Sequence, residues 1–488
     1  MGSRESNGDL LRNCGILVAS ADALSKSRKC LYFYALEKRR RIWAEKETRQ
    51  VDCGGSYVDR QSDRSACGNS WFDHVKIMPW ITPRTPVSMA AAALILVVFS
   101  SAVRADADFE LWLKQLWLDA QQRGVSQATF DGAMKGLQLD LSLPDLVIPG
   151  RPLKEQAEFV KLPADYLPEQ QLSGLAKAGR RHLLFYKSTL QKIEAEYGVP
   201  GNIAIAVWGR ETDYGAERQR HNVIRSLATQ AYLGRRKDMF RDELLIALKL
   251  VQSGTIRMDA MGSWSGAMGQ TQFEPSDFEK FAVDGDGDGK IDLSNSIPDA
   301  LASAAKQLRD YGWKRGKQWG FEVRVPQGVN CSEASPDVKR PLADWLDLGL
   351  IPASGAAISK DMLDDQASLV LPAGTYGPGF LVLENFQVLR RYNASDLYAI
   401  FVGHLADLIA GSPAFERVWT KLPPFSSRDI EETQKLLSNK KYYSDTVDGR
   451  LGSVTRRAIG QYQKAINMRI DCWPSRALLD QLQRSDKR

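Results

Sequence analysis

No Cys-x-x-Cys pair occurs in this chain, which removes the usual zinc and thiol-redox motifs. Cysteine is scarce, 6 residues in all, and unevenly spread. Cys14, Cys30, Cys53 and Cys67 precede residue 70, and only Cys331 and Cys472 follow; the sequence leaves open whether those two pair. No long Lys/Arg run is interleaved with aromatic residues, so nucleic acid is the weaker choice of partner. Long hydrophobic runs are missing as well. The main one, residues 90–99, falls well short of the roughly 20 residues that a membrane-spanning helix requires.

What is present is an ordinary globular composition, 43% hydrophobic and 25% charged, over 488 residues. That length suits two or three domains at roughly 100 to 200 residues each. A net charge of +6 fits a polyanionic partner, either nucleic acid or a carboxylate-bearing cell-wall polymer.

Residues 1–77 are polar and Arg-rich, with no sustained helical or strand period. The stretch 78–105 has the parts of a secretory signal: one positive charge, the apolar run and a small-residue exit through Val103 and Ala105. No cysteine lies at that junction, so export as a soluble protein is expected rather than lipid anchoring. A signal belongs at a start. Met78 or Met89 is therefore the expected initiator, and 1–77 an upstream over-extension of the reading frame; the alternative is a cytoplasmic tail before a membrane anchor.

The rest reads as mainly α with a small β-containing part (α+β). Helical periodicity marks 109–197, with Leu111, Trp112, Leu116 and Trp117 on one face and Leu183, Leu184, Phe185, Leu190 and Ile193 on another. Further helices are predicted over 240–251, 298–311 and 395–409, and strands at 321–325, 367–371 and 380–383. Residues 413–427, with Pro423-Pro424, read as a linker. Three short helical patterns follow it, at 430–437, 454–465 and 475–482, and set 428–488 apart as a module.

The chain is organised around Val207-Trp208-Gly209-Arg210-Glu211-Thr212-Asp213-Tyr214-Gly215. Pro200 is placed at the first position of a helix on which Ala204, Val207, Trp208 and Glu211 share one face. A carboxyl group then ends an inward apolar stripe, where desolvation favours its protonated form near neutral pH. For any single glutamate a surface position is the plainer reading; the stripe and the flanking glycines favour chemistry here. The segment 262–275 is rich in Gly and small polar residues and makes a poor helix. Such a segment lets backbone approach a ligand while Ser and Gln side chains offer hydrogen bonds.

Residues 284–295 fit a calcium-wrapping loop. Oxygens come from Asp284, Asp286 and Asp288, the carbonyl of Lys290, and Asp292, with Gly289 at the sharp turn. The twelfth position, where a bidentate Glu is the rule, is Asn295, which weakens the site. Calcium sensors generally pair such loops, and one alone does not make a sensor.

These pieces together resemble the lytic murein transglycosylase B family of bacterial cell-wall enzymes over about 108–410. The residues carrying the resemblance are Trp208-Gly209-Arg210-Glu211-Thr212 with Tyr214-Gly215, then Gly266-Ala267-Met268-Gly269 with Gln272-Phe273 and Pro275-Ser276. The acidic loop, Asn385-Phe386 and Arg391-Tyr392-Asn393 with Ser395, Tyr398 and Ala399 continue it. The tail resembles a three-helix peptidoglycan-binding module through Gln434, Val447-Asp448-Gly449, Gly452, Thr455 and Tyr462-Gln463.

The resemblance implies a lysozyme-like helical catalytic domain over 106–412, acting on peptidoglycan glycan strands in the periplasm. It makes Glu211 the sole acid/base, lines the groove with Arg235, Arg236, Ser263, Met268, Gln272, Tyr392 and Tyr398, and requires no cofactor beyond a structural calcium. Other cell-wall enzymes are expected partners. Two positions depart from the pattern. Gln307 stands where the family often has an aromatic, and Asp471-Cys472 where a second Asp-Gly pair is expected. A hydrolysing muramidase would instead use two carboxylates about 5 to 9 Å apart; Asp213, the nearest in sequence, falls on a different helix face from Glu211. A non-catalytic wall-binding protein is the other alternative, and Glu211 speaks against it.

Overall fold

Helix Gly201–Thr212 lies at the centre of the structure, a computed structural model that describes residues 108–151 and 161–486. The polar stretch 1–77 and the expected signal 78–105 lie outside the described residues. Gly201, every residue from Ile203 to Gly209, and Thr212 are buried. The alternation Ile203-Ala204-Ile205-Ala206-Val207 lets neighbours approach closely on all sides. Helices Glu169–Phe185, Lys187–Tyr197, Ile297–Asp310 and Asp396–Ala410 surround it. The sequence pattern predicted one inward stripe, whereas the helix is enclosed all round, as an apolar helix inside a larger core must be. Pro200 stands one residue earlier than predicted, as the N-cap.

The central helix stops abruptly. Asp213, Tyr214 and Gly215 all have left-handed backbone, with φ of 50, 57 and 84°. The reversal folds Tyr214 back onto the helix, and a Cβ on Gly209 would come within 2.6 Å of its ring. Only glycine permits that packing, which lets the Tyr214 hydroxyl donate to the Leu175 carbonyl at 2.9 Å.

The predicted helices are present, and some predicted faces are not. Leu116 is fully buried, but Leu111 points to solvent, and Leu184 and Phe185 are 74% and 79% exposed. Helix Glu169–Phe185 packs through Leu172, Leu175, Ala176 and Gly179, so its last apolar residues run past the core. An antiparallel five-stranded sheet runs in the order 340–341, 366–370, 379–382, 320–324, 351–352. Its central strands match the predicted ones, each starting one residue early. Trp345, Leu342, Leu369 and Leu381 form a second core beneath it.

The C-terminal module consists of helices Ser427–Asn439, Ser453–Ala465 and Arg476–Asp486 around Leu437, Ile459, Leu478 and Leu482. The segment expected as a linker has no helix or strand through 412–426, yet it is packed down. Phe415 stacks on His404 at 3.5 Å and lies 5.0 Å from Phe380. The backbone N–H groups of Glu416 and Arg417 donate to the Glu322 carboxylate. Cys331 and Cys472, left open by the sequence, form a disulfide that joins the sheet region to the module across 141 residues.

That disulfide explains the departure at Asp471-Cys472. The module contains the same turn twice. Gln434 Oε1 accepts from the N–H groups of Asp448 and Gly449, and Gln463 Oε1 from those of Asp471 and Cys472. Gly449 and Cys472 both have positive φ, 71 and 55°. Cysteine thus occupies the left-handed place of a second glycine and is bonded to the rest of the protein.

Candidate active site

Glu211, on the last turn of the central helix, is half-buried and accepts a hydrogen bond from the Tyr398 hydroxyl. Tyr398 belongs to helix Asp396–Ala410 and is 1% exposed. Its ring lies parallel to that of Tyr392, centroids 6.1 Å apart, and the Tyr392 hydroxyl donates to the Thr271 carbonyl at 2.6 Å. Burial, reinforced by the Glu211 charge, holds both phenols well above the ordinary tyrosine value. Both remain protonated donors. Arg210 sits behind this pair, its guanidinium 4.8 Å from the Tyr166 ring centre and 5.8 Å from that of Tyr398.

Opposite them stands the glycine-rich segment, folded as a tight hairpin. Met268 and Phe273 exchange both backbone hydrogen bonds at 2.9 Å, and Ser263 N–H donates to the Ala267 carbonyl at 2.7 Å. Gln272 at the turn has a φ of 53° and donates to the Gly269 carbonyl. Of the expected groove residues, Ser263 and Gln272 are partly accessible, while Met268 is buried within the hairpin. Gln307, the other departure, is also buried and donates to the Tyr311 hydroxyl at 3.1 Å.

Arg235 and Arg236 are exposed and share Asp145, a buried carboxylate that holds them at the turn after helix Val223–Leu233. Asp213 does not join Glu211. It is exposed on the left-handed turn and lines a separate surface cavity with Gln171, Arg210 and Glu217.

Two residues with parts in the site were missed by sequence reasoning. Gln270 accepts from the Trp208 indole N–H at 2.8 Å, and its own Nε2 donates to the Ser294 carbonyl at 2.8 Å. Its backbone also engages, the carbonyl accepting from Thr212 Oγ1 and the N–H donating to the Leu293 carbonyl. One side chain therefore ties the central helix, the hairpin and the acidic loop together. Glu274, at the hairpin's foot, accepts from Ser265 Oγ, whose oxygen lies 3.0 Å from Ser263 Oγ. Burial, then the neighbouring Glu243 charge, pushes the Glu274 carboxyl up to about 8. Neither residue has a periodic or motif signal that sets it apart.

The acidic loop places carboxylate oxygens of Asp284, Asp286 and Asp299 within 4.8 Å of one another. Asp299, absent from the sequence-derived set, is buried and accepts from the N–H groups of Gly285 and Asp292. Asp284 accepts three backbone N–H groups and is held below the usual carboxylate range by them. Asn295 donates to Asp292.

A buried helix ending in one glutamate, faced by stacked tyrosines and a Ser/Gln hairpin, places the protein in the lysozyme-like class of folds. The chain belongs to the family described as the transglycosylase SLT domain, which matches residues 108–407, and a putative peptidoglycan binding domain matches 426–482. It is 30% identical over 229 residues to the membrane-bound lytic murein transglycosylase B of Escherichia coli (strain K12), a match covering 46% of this chain and 61% of that protein. The chain thus spans about three fifths of that curated relative's length. SltB3 from Pseudomonas aeruginosa, solved in complex with NAG-anhNAM-pentapeptide, is 38% identical with a TM-score of 0.67, covering 77% of this chain and 99% of that one. Its complex with NAG-NAM-pentapeptide gives 37% and 0.68 over the same shares. SltB1 from the same organism is 27% identical, with a TM-score of 0.52 over 61% of this chain and 97% of that one.

Proposed function

We propose that this protein is a lytic transglycosylase that cuts the MurNAc–GlcNAc β-1,4 bond of peptidoglycan, with Glu211 as its only acid/base. The hydrogen bond from Tyr398 to Glu211, on the last turn of a helix buried along Ile203–Gly209, carries the reading. Protonated Glu211 gives its proton to the glycosidic oxygen as the C1–O bond of the muramic residue breaks. The substrate's own acetamido oxygen stabilises the positive charge developing at C1, an exception to the two-carboxylate rule. Glu211, now a carboxylate, takes the proton of the muramic C6 hydroxyl as O6 bonds to C1. The 1,6-anhydro ring closes, Glu211 regains its proton and no water is consumed. Tyr398 holds Oε1 throughout, fixing the carboxyl group toward the bond to be cut. Arg235, Arg236, Ser263, Gln272 and Tyr392 serve the glycan groove at its surface, while the buried Met268 and Tyr398 support it from beneath. The separate cavity at Asp213 supports one carboxylate over a hydrolysing pair.

Calcium fits the acidic loop through Asp284, Asp286 and Asp299, with Asp288, the Lys290 carbonyl and Asp292 completing the oxygen set. A calcium ion held there would neutralise the charge of the loop that carries Leu293 and Ser294. The chemistry itself needs no cofactor. A peptidoglycan substrate supports a location outside the cytoplasm, and we take this to be the periplasm, among other wall-acting enzymes. Among the described residues no helix is long and apolar enough to cross a membrane. The test is mass analysis of products from purified peptidoglycan. Anhydromuramic ends, lighter by one water than hydrolysis products, are expected, and reducing muramic acid ends would refute the mechanism.

A further inference from the structure

The two stacked tyrosines of the site meet at an elbow. Tyr392 ends helix Glu384–Tyr392, Tyr398 lies in the first turn of Asp396–Ala410, and 393–395 join them. Ser395 caps the second helix by accepting the Tyr398 N–H, so a shift of this turn moves Tyr398 with it.

Asp396, the first residue of that helix, is held from two sides. Arg390, two residues before Tyr392, brings Nε to 3.0 Å from Oδ1. Arg456 brings a guanidinium nitrogen to 3.4 Å from Oδ2, and it comes from the C-terminal module, on helix Ser453–Ala465. Its side chain is 9% exposed, and its other terminal nitrogen donates to the Leu451 carbonyl at 2.7 Å. A guanidinium enclosed this far needs its counter-charge, and removing either partner leaves the other in a poor environment.

The module is not free to drift away from Asp396. Asp471 accepts from the Tyr376 hydroxyl at 2.7 Å and, through its carbonyl, from the Thr375 N–H at 3.1 Å. The next residue is Cys472, bonded to Cys331. Helix Ser453–Ala465 approaches the sheet region so closely that a Cβ on Gly460 would lie 3.0 Å from the Cβ of Ser332, beside Cys331. A module that only raised affinity for the wall would need none of these contacts.

We propose that Arg456 is a positioning residue for the Glu211–Tyr398 pair. Through Asp396 the module grips the elbow and sets the Tyr398 phenol against the catalytic carboxylate. This rests on the reading of Glu211 as the acid/base.

The test uses the full chain with its disulfide intact, on short soluble glycans for which wall anchoring is irrelevant. Arg456→Met is expected to lower kcat by roughly tenfold to a hundredfold with KM changed by less than about threefold, as for small misplacements of a reacting group. Arg456→Lys should recover most of the rate. Asp396→Asn, approached from the catalytic side, should give the same split. On a Tyr398→Phe background, Arg456→Met should cost less than about threefold more, because its route to the reaction has gone. Wild-type kcat in Arg456→Met, or losses that multiply fully with Tyr398→Phe, would overturn the assignment. Should Arg456→Met lose its sedimentation with insoluble peptidoglycan, showing a melted module, Asp396→Asn decides alone, and wild-type kcat there is fatal. Reducing muramic acid ends in the products would refute the Glu211 mechanism separately, while leaving the dependence of rate on Arg456 intact.

Discussion

The indole N–H of Trp208 donates to Oε1 of Gln270 at 2.8 Å, joining the central helix to the hairpin that faces it. Gln270→Ala orphans that indole and frees the Thr212, hairpin and Ser294 contacts to shift. Losing a partner for a buried donor costs about 1 to 3 kcal/mol. A denaturation midpoint lowered to match is expected, together with reduced turnover from a hairpin no longer held at the helix. An unchanged midpoint would show that Trp208 finds another acceptor.

Tyr398→Phe removes the hydrogen bond to Glu211 that becomes charge-assisted as the acid gives up its proton, and keeps the stacked ring. Such bonds contribute about 1.5 to 3 kcal/mol, so a loss of roughly tenfold to a hundredfold in kcat is expected. Glu211→Gln, which keeps shape but not the proton, should cost roughly 10² to 10⁴ or more while retaining glycan binding. Steady-state kinetics on soluble glycans measure both. A Tyr398→Phe loss as deep as that of Glu211→Gln would make the phenol a proton carrier in its own right.

Cys331→Ser with Cys472→Ser opens a loop of 141 residues. On the chain-entropy account closing such a loop is worth ~5 kcal/mol, and measured losses run about 2 to 5. The double variant should melt earlier than the wild type, and dithiothreitol should lower the wild-type melting point toward it. Identical melting curves for the two would mean that the packing of Phe415 and Asp471 alone secures the module.

The apolar run after Pro200 was enough to place the central helix, though not its all-round burial, and local spacing placed the three C-terminal helices with their buried faces. Glu211, Tyr392 and Tyr398 were legible as a set only through resemblance, since two helices that meet at 393–395 bring the tyrosines to a glutamate far away in sequence. The exposed Leu184 and Phe185 misled for the opposite reason: an apolar face predicts burial only where a neighbour arrives to cover it. Gln270 and Glu274 lie in a segment the sequence marked as ligand-facing, and Asp299 in a stretch that shares the resemblance, but nothing gave any of the three its individual part. Each acts through contacts to other loops, and a buried polar residue with distant partners looks like any other in the sequence. The Cys331–Cys472 pairing depended on the fold of both ends.

Calcium at Asp284, Asp286 and Asp299 should couple to the stability of the whole catalytic part, because Leu293 and Ser294 on that loop hold Gln270. A ligand bound only by the folded state stabilises it by about 2.7 kcal/mol at a hundredfold excess over its Kd. Scanning calorimetry should show melting rise with calcium and fall with chelator, and Asp288→Ala or Asp299→Asn should blunt the response. A melting temperature indifferent to calcium would leave the loop as an acidic turn held by its own backbone.

Glu274 makes stability depend on pH in a direction opposite to that of a surface carboxylate. Its Oε2 has no partner and is shut off from solvent, and Glu243 beside it is fixed as an acceptor by the Ser276 N–H and hydroxyl. Unfolded, the carboxyl titrates at 4.5; folded, burial and the Glu243 charge raise it to about 8. Between those values the folded state binds the proton more tightly than the unfolded one, so stability is full below the lower value and declines as pH rises toward the upper. Glu274→Gln keeps the shape and a donor without the titration. The variant should match the wild type near pH 4.5 and melt above it near pH 8. Asp277, also raised by burial, and Asp407, raised to about 7, are common to both proteins, and to first order their contributions cancel in the difference. A wild type as stable as Glu274→Gln at pH 8 would mean that Glu274 ionises without penalty, and that Ser265 and Ser263 are held by a carboxylate rather than by an acid.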